Sequence, residues 1–242
     1  MRISVIVPAY NEEKTIAQVL LALARELPEI HEVIVVDDGS KDRTAQIAEE
    51  FSQEYAFMKL LRQPRNMGKT AALRAGFAAS TGDIVLIQDA DMEYDPTDIP
   101  GLVEPIERGK ADVVYGSRFM IRKASRVLYF RHYMANQFLT FLSNLVTDLN
   151  LSDVETGYKA FRGEIIRNMV IETSGFGFEI EVTAKIAKLR CRVYEVPISY
   201  YGRTYEEGKK IGFKDGLDAI WYIIKYNLFK TLRQSYVNFP KL

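Results

Sequence analysis

The chain has 242 residues, of which 48% are hydrophobic and 26% charged, and its 32 basic side chains balance its 32 acidic ones. This length suits one large α/β domain, or one domain with a small appendage. The zero net charge provides no basic field for nucleic acid, and the single Cys191 excludes an intrachain disulfide framework and fits a reducing compartment. We expect no signal peptide and no bilayer-spanning segment.

Short apolar runs alternate with helical patterns through the first part of the chain. Strands are predicted at 3–7, 32–36, 58–61 and after Gly82; helices are predicted at 12–26, after Ser40 as N-cap through Phe51, and after Lys69 to about 79. This alternation predicts a parallel sheet with covering helices. Right-handed crossovers then place the loops that follow the strands on one edge of the sheet.

Three carboxylates, Asp89, Asp91 and Glu93, follow the fourth predicted strand. In an extended segment alternate side chains point the same way, so the pattern predicts a carboxylate cluster where open α/β sheets bind ligands. Such a cluster suits Mg²⁺ or Mn²⁺. An Asp-x-Asp triplet alone also suits a solvated acidic turn, and this alternative stays open.

The loop after the first strand reads Pro-Ala-Tyr-Asn-Glu, so the glycine-rich dinucleotide-binding fingerprint is absent. The sequence also lacks the phosphate-binding loop motif of nucleoside triphosphatases. A nucleotide bound at this edge would therefore be held through its base, its ribose and a metal on its phosphates.

The second half of the chain contains two amphipathic helix patterns. After a predicted strand at 112–115, no acidic residue occurs from Arg118 to Thr147, and a helix is predicted at about 126–147. One face carries Val127, Phe130, Met134, Phe138, Phe141 and Leu145, and the other carries His132, Asn136, Thr140 and Ser143. This pattern is typical of a helix in a membrane interface, with an ordinary core helix as the alternative.

The second such pattern runs from about 213 to 232 and contains the only tryptophan, Trp221. It suits a headgroup boundary or a helix docked on the sheet. Between the two patterns we predict a helix ending at Leu189 and a strand pair at 192–200. Residues 202–212 are predicted to form a mobile cationic flap that closes over phosphates, with a polar loop without a role as the alternative for this segment. The predicted division is a catalytic domain at 1–212 and an amphipathic helix with a tail at 213–242.

Taken together, these segments resemble the inverting family-2 glycosyltransferases of the GT-A fold, and within them the polyprenyl-phosphate sugar synthases of the dolichyl-phosphate mannose synthase type. The specific motifs are VIVPAYNEE at 5–13, VVDDGS at 35–40, RNMGK at 65–69, DAD at 89–91 and GSR at 116–118; residues 153–159 and 203–210 are similar more loosely.

The resemblance implies an α/β fold with a mostly parallel central sheet flanked by helices. It also implies a metal-dependent hexosyltransferase that uses a GDP-mannose or UDP-glucose type of donor and a polyprenyl-phosphate acceptor, peripheral on the cytoplasmic face of a membrane. The implied donor site consists of Pro8, Tyr10, Glu12, Asp37, Asp38, Lys69, Asp89 and Ala90. The implied metal ligands are Asp89, Asp91 and Glu93, where Glu93 replaces the neutral amide of some relatives.

The acceptor phosphate is implied to bind Arg118, Arg131, His132 and Arg203, and the catalytic residues are implied to be Asp91, Arg118 and Asp153. A lipid phosphate is already ionised near neutral pH and needs cations to place it. A sugar hydroxyl needs a carboxylate base instead, for which Asp153 is the candidate. The alternatives are a glycosyltransferase with a soluble acceptor, a nucleotidyltransferase and a non-catalytic nucleotide-sugar binding module. The first loop argues against a nucleotidyltransferase, because it is acidic rather than glycine-rich and basic.

Overall fold

The computed structural model of the chain describes residues 1–27, 30–120, 126, 129–174, 177–202 and 213–240. Its strands form one seven-stranded sheet. They are β1 (Ile3–Ala9), β2 (Glu32–Asp37), β3 (Met58–Arg62), β4 (Ile84–Ile87), β5 (Val113–Ser117), β6 (Lys159–Arg162) and β7 (Val193–Pro197). The order across the sheet is β3–β2–β1–β4–β6–β5–β7, and β6 runs antiparallel to both its neighbours while all other pairs are parallel.

Helices cover both faces of the sheet. They are α1 (Ile16–Glu26), α2 (Thr44–Glu54), α3 (Lys69–Ala79), α4 (Ile99–Glu107), α5 (Phe130–Thr147), α6 (Gly163–Asn168), α7 (Phe178–Leu189), α8 (Phe213–Leu228) and α9 (Leu232–Ser235), with a 3-10 turn at Pro96–Asp98. Helices α1, α2 and α4 cover one face, and the others cover the opposite face. The predicted α/β class with a mostly parallel sheet is confirmed.

The central strands are buried on both faces, as their continuous apolar runs predict. Val5 and Val7 point into the core under α1, whereas Ile6, between them, points into the core under α3. The same alternation in β2 sends Val35 to one core and Val36 to the other. Two cores therefore share one sheet, and helices α8 and α9 extend the core on the α3 side.

Two local predictions are wrong. The second helix begins at Thr44, and Ser40 does not cap it, because the Ser40 hydroxyl accepts a hydrogen bond from the Asn11 amide instead. Residues 192–200 form the single strand β7 followed by one isolated bridge between Tyr200 and Tyr94, because β7 pairs with β5 rather than folding back on itself.

Helix α5 turns its apolar side outward. Phe130 is 72% exposed and Leu145 is 69% exposed, whereas Thr140 and Ser143 on the opposite side are buried. Helix α8 lies beside α5 and also exposes large apolar side chains. We call this set the outer apolar face: Phe130, Met134, Phe138, Phe141 and Leu145 of α5, with Leu217, Trp221, Ile224 and Leu228 of α8. The predicted apolar side of α5 is therefore exposed, and α5 contributes to the core on the α3 side through Leu139 and Leu142 instead.

A buried carboxylate joins the strands at the edge opposite the strand ends that carry the acidic loops. Glu32, 1% exposed, accepts hydrogen bonds from the hydroxyls of Ser4 and Thr81, the Thr81 amide and the Lys59 ammonium. Burial alone would raise the pKa of Glu32, but these hydrogen bonds outweigh it and lower the pKa to about 2. The carboxylate therefore stabilises the fold above its ordinary pKa of 4.5, and this contribution is lost as the pH falls from 4.5 to about 2.

We expect Glu32→Gln to lower the free energy of unfolding by about 2–3 kcal/mol near neutral pH, which corresponds to roughly 5–10 °C in melting temperature. Activity should not change, because Glu32 lies at the far edge of the sheet. Denaturant titrations at pH 7 and pH 3 measure the effect, with the exposed Glu26→Gln as the matched control. Equal melting temperatures for the two variants would contradict the prediction.

Candidate active site

The candidate site lies at the C-terminal edge of the parallel strands. The loops that follow β1, β2, β4 and β5 all begin at this edge, as the crossover rule requires. Because β6 is antiparallel, it begins at this same edge, and its preceding segment 153–158 joins the site. The antiparallel strand thus adds residues from the second half of the chain to the loops of the first half.

Hydrogen bonds fix the loops after β1 and β2 to each other. The Asn11 side chain accepts from the Lys41 amide, and the Glu12 amide donates to the Thr44 hydroxyl. Pro8 is buried and Tyr10 is half-buried at the end of β1. This double turn forms a preorganised rim, which suits the binding of a flat base and a ribose.

Asp38 fixes the loop that precedes α3. Its two carboxylate oxygens accept from the amides of Met67 and Gly68, at 2.8 Å each. Gly39 has φ +72°, and a Cβ there would lie 2.6 Å from the Arg65 carbonyl carbon, so only glycine fits this close approach. Asp38 therefore shapes the site through the backbone, while Asp37, 3% exposed, accepts from the Ser40 amide.

Lys69, the first residue of α3, pairs with Asp89. Its ammonium lies 2.7 Å from one Asp89 carboxylate oxygen and 4.0 Å from Glu179 of α7. Burial alone would lower the pKa of Lys69, but Asp89 and Glu179 outweigh it and raise the pKa above its ordinary value. A permanent cation therefore stands beside the Asp-x-Asp segment, and it is suited to contact a phosphate.

Asp89, Ala90 and Asp91 lie on a turn, so the prediction that the three acids are in phase on an extended segment is wrong. The strand ends at Ile87, Met92 has φ +60°, and the Glu93 amide donates to the Asp91 carboxylate at 3.1 Å. The Glu93 carboxylate accepts from the Tyr200 hydroxyl at 2.8 Å. The turn thereby directs Asp89 towards Lys69 and Glu93 towards the segment that follows β7.

The carboxylates of the acidic turn suit a divalent cation that takes most of its ligands from phosphate and water. In the part of the chain that the structure describes, no three His, Cys, Asp or Glu side chains are grouped as metal ligands. Mg²⁺ in phosphate-binding sites needs only one or two protein carboxylates, with the remaining ligands from phosphates and water. Asp89, which is 16% exposed, and the half-buried Asp91 can supply such oxygens. The assignment of all three acids as metal ligands stays a prediction.

Arg118, directly after β5, forms a forked ion pair with Asp153. Its Nε and one terminal nitrogen each lie 2.7 Å from an Asp153 oxygen, and its amide donates to the same carboxylate. Burial alone would raise the pKa of Asp153, but the pairing with Arg118 outweighs it and lowers the pKa. A fully buried, ion-paired carboxylate is a poor general base, so this geometry favours Asp153 as the residue that orients Arg118.

The remaining predicted acceptor residues lie on α5 or outside the described residues. Arg131 is exposed and His132 half-buried on the first turn of α5. Tyr133 of that turn packs its ring against Phe119, next to Arg118. Arg203 and the rest of the predicted flap at 202–212, apart from Gly202, lie outside the described residues.

Other residues of the site were assigned no role from the sequence, although Glu155 and Gly157 lie in the loosely similar segment 153–159. The Tyr94 hydroxyl accepts from the Gly157 amide, and a Cβ at Gly157 would lie 2.8 Å from an Asp89 oxygen. Glu155 has one buried carboxylate oxygen without a hydrogen-bond partner, and burial, followed by the charge of Glu179, raises its pKa to about 8. Glu155 and Glu179 reach the site only through tertiary structure, so spacing in the sequence could not have identified them.

Comparison with solved structures identifies the class of this fold. Glucosyl-3-phosphoglycerate synthase from Mycobacterium tuberculosis, in complex with Mn²⁺, uridine-diphosphate and phosphoglyceric acid, matches with a TM-score of 0.73 at 23% identity, over 94% of this chain and 78% of that one. This likeness confirms the predicted GT-A fold.

The sequence comparisons then identify the family. The family model described as Glycosyl transferase family 2 matches residues 4–170. The chain belongs to this family, and it is a glycosyltransferase. It is 32% identical to the undecaprenyl-phosphate mannosyltransferase of Micrococcus luteus, over 88% of both chains. It is 30% identical to the dolichol-phosphate mannosyltransferase of Pyrococcus furiosus, over 88% of this chain but only 60% of the relative's length.

Proposed function

We propose that this glycosyltransferase moves a hexose from a nucleotide-diphosphate sugar to a polyprenyl phosphate at a membrane surface, with inversion at the anomeric carbon. The names of the two mannosyltransferase relatives support a lipid-phosphate acceptor. The observation that carries the proposal is the juxtaposition of Arg118 with α5, a helix whose apolar side faces outward. A fixed cation beside an exposed apolar helix suits an acceptor with a phosphate head and a hydrocarbon tail.

On the donor side, the proposal assigns the base and ribose to the rim formed by Pro8, Tyr10 and Glu12 with Asp37 and Asp38. Lys69 faces the diphosphate, and Asp89 and Asp91 would hold a divalent cation. When bound, that cation supplies positive charge where the leaving diphosphate becomes more negative. Lys69, which is ion-paired with Asp89, adds a second positive charge at the same place.

On the acceptor side, Arg118 places the phosphate, with Arg131 and His132 at the entrance and Arg203 proposed from the sequence alone. One phosphate oxygen forms a bond to the anomeric carbon while the bond from that carbon to the diphosphate oxygen breaks. The nucleoside diphosphate leaves with the bonding electrons. A lipid phosphate is mostly ionised near pH 7, so the reaction needs no general base. This agrees with Asp153 being occupied by Arg118.

Labelled GDP-mannose and UDP-glucose, each with Mg²⁺ or Mn²⁺, test the proposal against three acceptors: a short polyprenyl phosphate, the unphosphorylated alcohol and a soluble saccharide. We expect sugar transfer only to the phosphate, with release of nucleoside diphosphate. Equal transfer to the saccharide would replace the proposal with a soluble-acceptor glycosyltransferase. Release of the sugar 1-phosphate, with the nucleotide transferred in its place, would indicate a nucleotidyltransferase. No turnover would indicate a binding module.

We propose further that the outer apolar face holds the protein on the lipid surface. None of the described helices is long and apolar enough to cross a bilayer. The exposed apolar side chains of α5 and α8 suit insertion at the level of the headgroups, and Trp221, 54% exposed, is of the residue type enriched there.

The double variant Phe141→Ser/Leu145→Ser should bind vesicles of phosphatidylcholine and phosphatidylglycerol at least about tenfold more weakly, because it removes two large apolar side chains from the outer apolar face. Thermal stability should stay unchanged, because both side chains point away from the core. Vesicle co-sedimentation measures the binding. The control is Leu21→Ser, an exposed leucine on α1 across the sheet. Equal binding of both variants would contradict the prediction.

A further inference from the structure

The inward side of α5 carries polar side chains that are hydrogen-bonded to the segment that contains Asp153. Asn144 holds Leu151 through both the amide and the carbonyl of its backbone, at 3.2 and 2.7 Å. Gln137 donates to the Ser152 carbonyl, and the Thr140 hydroxyl accepts from the Val154 amide. The helix that exposes an apolar side to solvent is therefore attached to the site by side-chain hydrogen bonds rather than by an apolar seam alone.

One of these contacts reaches the ion pair itself. The Asn136 side-chain amide donates to Asp153 Oδ1 at 3.1 Å, the same oxygen that receives a terminal nitrogen of Arg118. Asp153 is fully buried, and among the described residues the other hydrogen bonds to its carboxylate come from Arg118. Arg118 and Asn136 thus hold the carboxylate from two sides, and the carboxylate in turn sets the plane of the guanidinium.

The orientation of the Asn136 amide is itself fixed. The Thr140 hydroxyl, one turn further along α5, donates to Asn136 Oδ1 at 3.1 Å. Since Thr140 satisfies the oxygen, the amino group is the end that faces Asp153, and the reverse orientation would place two oxygens together. One chain of hydrogen bonds therefore runs from α5 to the cation proposed to bind the acceptor phosphate, through Thr140, Asn136, Asp153 and Arg118.

We propose that Asn136 is a positioning residue for acceptor-phosphate recognition, which holds the guanidinium of Arg118 in place through Asp153 and so joins the seating of α5 to the acceptor site. This inference rests on the proposed function and extends that function by assigning a role to the protein-facing side of α5. Without Asn136, the hydrogen bonds that the described residues give to the Asp153 carboxylate come from Arg118 alone, so the orientation of the ion pair is less firmly fixed. The guanidinium then presents its free edge to the phosphate less often.

Asn136→Ala tests the proposal, with Asn144→Ala as the matched control. Both remove an asparagine from the same side of α5 and break hydrogen bonds to the same segment, but only Asn136 contacts Asp153. Alanine is the best helix former, so both helices should persist. We expect Asn136→Ala to raise the KM for a short polyprenyl phosphate about tenfold, equivalent to one hydrogen bond to a charged group, with the donor KM within about twofold. Asn144→Ala should lower the melting temperature without changing the acceptor KM.

A second measurement does not depend on turnover. Labelling with phenylglyoxal, located by peptide mass spectrometry, reports how firmly Arg118 is held. We expect faster labelling of Arg118 in Asn136→Ala than in Asn144→Ala, whose rate should match the wild type. Equal acceptor KM values and equal labelling rates for the two variants would overturn the inference. If the wild type fails to use polyprenyl phosphate, the proposed function fails, and the labelling comparison still decides the role of Asn136.

Discussion

Replacement of Asp91 by asparagine is expected to lower turnover at saturating donor and Mg²⁺ by at least about a hundredfold. The substitution removes one formal negative charge from the half-buried turn after β4, where the proposed cation would bind. Asparagine keeps the oxygen that accepts the Glu93 amide, so the turn itself should persist. The effect therefore measures charge rather than local folding.

The matched control for this experiment is Asp95→Asn, four residues further along. Asp95 accepts the Thr97 amide at the start of the 3-10 turn, and asparagine caps such turns equally well. The control should keep both its melting temperature and its turnover. If Asp91→Asn keeps wild-type turnover at saturating Mg²⁺, Asp91 is no part of a cation site, and the acidic turn is only a solvated loop.

The second large effect is expected at Arg118. Arg118→Ala should reduce sugar transfer to polyprenyl phosphate about a hundredfold, because it removes the cation proposed to place the acceptor phosphate. It should also lower the free energy of unfolding by about 3–5 kcal/mol, because Asp153 remains as a buried charge without its partner. The loss of transfer should exceed any loss in slow hydrolysis of the donor.

A double variant separates these two effects. Arg118→Ala/Asp153→Asn has no unpaired buried charge, and the new side-chain carbonyl at position 153 can still accept the hydrogen bond from Asn136. We expect this variant to recover most of the stability and none of the transfer, as measured by thermal unfolding and by product formation. Recovery of both would assign Arg118 a purely structural role.

Arg131→Ala, at an exposed position, should reduce transfer without changing stability.

The first four strands were predictable because each is a short, mostly apolar run in a strand–helix alternation, and such runs have few other stable arrangements. Strand β6 was not predictable. Its four residues, Lys159–Arg162, begin and end with a basic side chain, and its antiparallel direction depends on the gap between β4 and β5. Because β6 brings residues 153–158 to the site edge, the pairing of Asp153 with Arg118 could not be derived from the sequence either.

The acidic turn and α5 illustrate two further limits. The positive φ of Met92 redirects Glu93, and no glycine or asparagine at that position signals a left-handed residue. For α5 the sequence identified both faces of the helix correctly, but not which one faces the protein. Four polar side chains on the inward face, Asn136, Gln137, Thr140 and Asn144, bind the backbone or the carboxylate of the segment 151–154, and this places the aromatic face outward.

The outer apolar face has a consequence for how the enzyme meets its acceptor. In the proposed reaction, a protein held at the headgroup level searches for a polyprenyl phosphate by lateral diffusion in two dimensions. The quantity that governs encounter is then the mole fraction of acceptor in the bilayer rather than its bulk concentration, and confinement of both partners to one thin layer raises their effective concentration. Affinity for the lipid phosphate itself can therefore stay weak, which lets the glycosylated product leave the arginine without a separate release step.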